Sequence, residues 1–284
     1  MDLSPDLATA CLVPRRVSGP EEARDVVATE GAAIITGIAD EEAAIAFGTA
    51  MLGEDLVRVG RQIEATAKRA LEDGTKVDEQ PADARGRKRR LSRDVSLPMP
   101  PHNDGFAFGD FAPDRLFLFS ARPAAVGGES FLIDGLKVLD ILAQDPANAE
   151  MVQFCRTVDI DHSEPNFPQE GYSPIVRTTP SGPPQVRHHP YLAPIMGPDE
   201  AAQWPFVEHW KAAVTAARDT GPRFRLEAGD MACVDNYRIF HGRHGYTDPA
   251  RVLYSIWGWS TSAVAVPAGE LDIVNPQGSA QLAG

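Results

Sequence analysis

Cysteine is scarce in this chain: Cys11, Cys155 and Cys233 are all there is, far apart and with no Cys-x-x-Cys pairing. That scatter excludes a disulfide scaffold and a cysteine zinc site, and it points to a reducing compartment, the cytoplasm by default. Long apolar runs are missing as well, and nothing approaches the roughly 20 residues a membrane-crossing helix needs. Asp2 and Asp6 bracket a very short apolar stretch, so no secretory signal is expected. Basic charge is in deficit, with 27 Lys+Arg against 40 Asp+Glu and a net charge of −13. A surface so acidic disfavours non-specific nucleic-acid binding. The expected partner is therefore a small molecule, with neither nucleic acid nor membrane involved. A glycine-rich phosphate loop and regular strand–helix alternation are both absent, which excludes a doubly wound α/β fold. No internal repeat or low-complexity linker divides the chain.

What is present suits one domain over 1–284, since 43% of the residues are hydrophobic. PEEARDVVATE (20–30) reads as a helix stopped at Gly31, followed by a strand in AAIITGI. Asp40 caps a second helix in which Ala44, Phe47 and Met51 recur at helical spacing. Residues 54–96 are charged and poorly patterned and are expected to form a partly mobile lid or insert. Apolar strands follow at LFLFSARPA (116–124), FLID (131–134), two around a Ser-Gly-Pro-Pro turn in 175–189, and two in 223–236 and 251–260. Helices are expected near 136–145 and 198–217, and 275–284 reads as a loose tail. Many short strands with peripheral helices predict a mainly β fold, closed or built of two sheets.

The stretch PHNDGFAFGD (101–110) sets His102 and Asp104 two positions apart, which on an extended strand turns both to one side. Such a pair could serve a metal, form a polar pair, or do neither. Far downstream, GDMACVDNYRIFHGRHGYTDPARVLYSIWGW (229–259) supplies His241, His244 and, at the head of an apolar strand, Arg251. An offset of three turns His241 and His244 to opposite sides, so only one can join the first pair. One His-x-Asp plus a distant His is the ligand set of the 2-His-1-carboxylate facial triad, which leaves open positions for oxygen and a chelating cosubstrate. Arg251 among Val, Leu, Tyr, Ile and Trp calls for an anionic partner, and a carboxylate-bearing cosubstrate would be one.

His102-x-Asp104, Gly127-Gly128-Glu129-Ser130, Asp235-Asn236, His241-Gly242-Arg243 and Arg251, in this order and spacing, resemble the taurine dioxygenase (TauD/TfdA) family of Fe(II)- and 2-oxoglutarate-dependent oxygenases. The resemblance covers roughly residues 20–262. It implies a double-stranded β-helix, a distorted jelly roll of the cupin kind. It implies Fe(II) on His102, Asp104 and His241, with 2-oxoglutarate and O2 as cosubstrates. Arg251 would pair with the distal carboxylate of 2-oxoglutarate, and the Ser130 hydroxyl would bond the same molecule, at a position where the family usually has threonine. Arg243 would either support the cosubstrate or orient His241. Because Asp104 retains the carboxylate that related halogenases lack, the implied outcome is hydroxylation of an unactivated C–H bond, with release of succinate and CO2. Desaturation, cyclisation or epoxidation at the same iron are the alternatives within the family, and a β-barrel that binds metal or ligand without redox turnover is the alternative outside it.

Several further residues carry narrower expectations. RGRKRRLSR (85–93) holds six positive charges just upstream of His102 and favours an anionic or amino-acid-like substrate. His188 and His189 are neighbours and cannot both face one metal, which leaves at most one to line a pocket. Phe106 and Phe108 could wall the site or pack the core. Gly127–Gly128 read as a tight turn, and Trp257 with Trp259 as one packed face of a barrel.

Overall fold

The computed structural model describes residues 5–61, 96–164, 171–248 and 250–267. The basic stretch 85–93, most of the expected lid and the expected tail lie outside the described residues. In chain order the strands are β1 (Cys11–Leu12), β2 (Arg15–Val17), β3 (Ala32–Ile35), β4 (Leu56–Arg61), β5 (Met99–His102), β6 (Arg115–Arg122), β7 (Ser130–Asp134), β8 (Ile160–Asp161), β9 (Tyr172–Ser173), β10 (Val176–Thr178), β11 (Pro184–Val186), β12 (Ala193–Pro194), β13 (Asp230–Asp235), β14 (Ile239–Arg243) and β15 (Val252–Ser260). The helices are α1 (Pro20–Glu30), α2 (Glu41–Leu52), α3 (Gly135–Ala143), α4 (Ala149–Thr157) and α5 (Glu200–Thr220). One sheet has the order β2-β3-β13-β6-β15-β4 and a second has β1-β7-β14-β5. Only β2 and β3 pair in parallel within them.

Alternation along the strands sorts side chains into layers. Leu116, Leu118, Ala232, Val234, Trp257 and Trp259 of the larger sheet meet Leu132 and Ile239 of the smaller one between the two. The intervening residues Phe117, Phe119, Met231 and Cys233 turn outward onto Val26, Val27, Ala44 and Met51 of α1 and α2. On the far side, Phe131, Ile133 and Phe240 pack against Val138 and Leu142 of α3 and Val207, Trp210 and Val214 of α5. Each such apolar side chain contributes about 1.5–3 kcal/mol by leaving water. Two facing sheets with helices on both outer faces make the distorted jelly roll that the family resemblance implies.

Local signals place the helices well. Pro20 starts α1, and Gly31 ends it in the left-handed region (φ 90°), its N–H reaching Val27 O. Asp40 caps α2 by accepting from the Ala43 N–H at 2.8 Å. Elsewhere the structure differs from expectation. The strand after α1 stops at Ile35, shortly before Gly37 (φ 79°) turns the chain. Within the expected lid, residues 56–61 form the edge strand β4, paired to β15, where Arg58 sits over the Trp259 ring at 5.4 Å. A helix not expected from the sequence, α4, buries Met151, Phe154 and Cys155. No helix among the described residues is long and apolar enough to cross a membrane.

Candidate metal centre

His102 is the last residue of β5, and His241 is the middle residue of β14, directly opposite it in the ladder. Cross-strand pairing therefore brings the two imidazoles together, with ring centres 4.3 Å apart. Asp104 arrives differently from the sequence expectation. The strand ends at His102, so period-two alternation does not carry the carboxylate; residues 104–105 form a turn, with Gly105 at φ 71°. The turn is held by asparagines. Asn236 Oδ1 accepts the Asp104 N–H at 2.9 Å, while its amide donates to Asp104 O at 2.9 Å and to Pro113 O at 2.7 Å. Asn103 donates to Asn236 O at 2.6 Å and exchanges two hydrogen bonds with the His188 backbone.

The donor atoms converge. Nε2 of His102 and Nε2 of His241 each lie 3.3 Å from Asp104 Oδ1, and the three ligand atoms fall within 4.8 Å of one another. Adjacent donors on a six-coordinate ion with bonds of about 2.1 Å stand about 3 Å apart, so the spacing fits a divalent cation. The outer contacts agree. His102 Nδ1 lies 2.9 Å from the Pro100 carbonyl, which can only accept, so Nδ1 carries the proton and Nε2 keeps its lone pair. Asp104 Oδ2 accepts from Ser255 Oγ and from Trp257 Nε1, both at 2.8 Å, leaving Oδ1 to face the imidazoles. Burial opposes the charge on Asp104, yet the two imidazoles outweigh it and hold the carboxyl well below its ordinary value. His102 is raised because Asp104 overcomes the effect of burial, whereas burial and the neighbouring His102 lower His241.

A second cluster lies beside this one. Arg251 immediately precedes β15, half-buried, with its guanidinium 4.8 Å from the centre of the Tyr246 ring. Arg243 sits 4.7 Å from the same ring and donates to the Leu97 and His244 carbonyls. Burial depresses Arg243, and the charge of Arg251 adds to that. Ser130 pairs with Arg243 across β7 and β14 and is buried; its hydroxyl makes no hydrogen bond among the described residues. Gly127 and Gly128 do more than turn the chain. A Cβ on Gly127 would stand 2.4 Å from Gly245 O, so glycine is what lets this loop close on Gly245–Tyr246.

The other candidates fall outside the triad. His244 lies edge-on to Phe131 at 5.6 Å. His188 and His189 are both buried, and they part as adjacent residues should: His188 packs toward Phe240 at 5.2 Å, while His189 stacks on Phe106 at 4.1 Å. Phe108 is core, edge-on to Trp257. Trp257 and Trp259 share the inter-sheet face as expected, but Trp257 also braces Asp104. Sequence reasoning missed that brace, the one from Ser255, and the clamp formed by Asn103 and Asn236. It also missed Arg187, buried and donating to Ser173 Oγ and Phe106 O.

No curated protein sequence matches the chain. Among solved structures, the fold is similar to that of a Burkholderia xenovorans protein ascribed to the alpha-ketoglutarate-dependent taurine dioxygenases (TM-score 0.61, 16% identity, 96% of this chain and 99% of that one). It is also similar to asparagine oxygenase in complex with Fe(II), 2S,3S-3-hydroxyasparagine and succinate (TM-score 0.52, 17% identity, 85% and 79%). A third likeness is to PvcB of Pseudomonas aeruginosa (TM-score 0.53, 14% identity, 84% and 79%). At such identities the likeness is one of fold. The model of the family described as "Taurine catabolism dioxygenase TauD, TfdA family" matches residues 14–257. That match takes in both halves of the triad and the arginine beyond it, and the chain belongs to the TauD/TfdA family, whose members are 2-oxoglutarate-dependent non-haem iron dioxygenases.

Proposed function

We propose that His102, Asp104 and His241 bind Fe(II), that Arg251 and Ser130 hold 2-oxoglutarate beside it, and that the enzyme hydroxylates an unactivated C–H of a small anionic or amino-acid-like metabolite. One observation carries the metal assignment: Asp104 has one oxygen committed to the larger sheet and the other shared by two imidazoles. Bound ferrous iron would supply oxidative decarboxylation of 2-oxoglutarate to succinate and CO2, coupled to oxidation of the substrate. The protein's own contribution is to fix the tautomer of His102 through Pro100, to aim Oδ1 of Asp104, and to present a guanidinium to a carboxylate. Arg243, fixed by carbonyls and beside Arg251, adds positive potential to the cosubstrate site. The six charges of 85–93 support an anionic substrate, and the three free, scattered cysteines support a cytoplasmic location.

The test is succinate release with Fe(II), 2-oxoglutarate and candidate metabolites under air, together with the visible charge-transfer band of the anaerobic Fe(II) complex. Both signals should require 2-oxoglutarate and vanish in His102→Ala and His241→Ala. Undiminished turnover in either variant would overturn the ligand assignment.

A further inference from the structure

We infer that Tyr246 is the positioning residue for 2-oxoglutarate: its ring sets the direction of the Arg251 guanidinium and so determines how strongly a distal carboxylate is held. The inference rests on the cosubstrate site proposed above.

Three observations lead to it. The Arg251 guanidinium makes no ion pair or side-chain hydrogen bond among the described residues, and the Tyr246 face, 4.8 Å away, is the aromatic surface it lies over. Arg243 lies over the same ring, but its Nη1 is already directed by two carbonyls, so it needs no such guide. Arginine has a long flexible stem, and stacking on an aromatic face restricts it while leaving its donors free for a planar bidentate partner. The ring is itself fixed. Gly127 forms an isolated antiparallel bridge with Tyr246, and Gly128 N donates to Gly245 O at 3.1 Å. A Cβ on Gly128 would sit 3.4 Å from Arg251 Nε and 3.5 Å from Tyr246 Cδ1. Gly128, in the left-handed region (φ 74°), thus lies in contact range of both ring and guanidinium, and Gly127 lets the loop close on Tyr246.

Two ligands sharing a 2-oxo acid head separate this role from a general structural one. 2-Oxoglutarate has a distal carboxylate, whereas 2-oxobutyrate has none. Calorimetric titration of both into the anaerobic Fe(II) protein gives a ratio of affinities that reports the distal contact alone. Tyr246→Phe keeps the ring and should keep the wild-type ratio. Tyr246→Leu should weaken 2-oxoglutarate about ten-fold and leave 2-oxobutyrate unchanged. In an Arg251→Gln background, Tyr246→Leu should have no further effect on the ratio, because its influence passes through the arginine. Unchanged 2-oxoglutarate binding in Tyr246→Leu, equal loss of both ligands, or a full additional loss in the double variant would each overturn the inference. Should Tyr246→Leu fail to fold, Tyr246→His carries the same comparison with a smaller ring. A wild-type protein that binds neither ligand would instead overturn the cosubstrate site itself.

Discussion

Mild acid should destabilise the metal-free protein through three imidazoles that the fold keeps neutral. His162, His188 and His189 are all buried. Burial, reinforced by neighbouring positive charge, pushes His188 down to about 3 and the other two well below the ordinary histidine value. In the unfolded chain each takes up a proton near pH 6.5. A base whose folded value is depressed contributes stability that is complete above the unfolded value and is lost as pH falls toward the folded one. From pH 7 to 5.5 the loss is on the order of 1 kcal/mol for each group, hence about 3–4 kcal/mol for three. That is a large part of the typical total of about 5–15 kcal/mol. His102, raised by Asp104 against the effect of burial, works in the opposite direction and offsets part of the loss, while His241, lowered by burial, adds to it. Urea unfolding at pH 7, 6.25 and 5.5 reads the slope directly. His189→Phe can still stack on Phe106 and should remove one proton from that slope. Equal stability at the two ends of the range, or a wild-type slope in His189→Phe, would refute the reasoning.

The metal site yields two more predictions. Trp257→Phe keeps an aromatic ring between the sheets but removes one of the two donors to Asp104 Oδ2, and it should weaken Fe(II) binding about 10- to 100-fold. Anaerobic metal titration checks this, with Ser255→Ala expected to act in the same direction. Chelation should lower the thermal midpoint of the Fe(II)-loaded wild type, since a ligand at 100 times its Kd stabilises by about 2.7 kcal/mol. His241→Ala, which lacks one donor, should melt at the same temperature with and without chelator.

Sequence made the two-sheet architecture legible because Val, Leu, Ile and Phe cluster in strand-length runs between glycines and prolines, and helices α1 and α2 because Pro20, Gly31 and Asp40 are strong local signals. The edge strand β4 escaped because it lies at the head of a charged, poorly patterned stretch, where pairing to β15 rather than its own pattern makes it a strand. For the site, residue types and spacing together with the family resemblance selected His102, Asp104, His241 and Arg251, yet the reason given for the first pair was incomplete. Strand alternation does not place Asp104; a turn clamped by Asn236 does, across a separation of more than 130 residues. Contacts of that range leave no periodic trace in one sequence. The same holds for Trp257, whose apolar neighbours announce core packing while its indole N–H serves the carboxylate.

Asp104 joins the two sheets as well as the two histidines. Its chain position is fixed beside β5 of the smaller sheet, and its Oδ2 is bonded by Ser255 and Trp257 from β15 of the larger one. The carboxylate is buried, and among the described residues its only cationic partners are the two ligand histidines, charged only when protonated. Two neutral donors do not offset a buried negative charge in a low-dielectric interior, so the metal-free site must either protonate a histidine or carry an electrostatic penalty. A divalent cation removes that penalty while leaving both imidazoles neutral. Metal affinity and the packing of the two sheets are therefore coupled through one side chain, and a substitution that shifts β15 against β5 should register at the metal before it registers in the core.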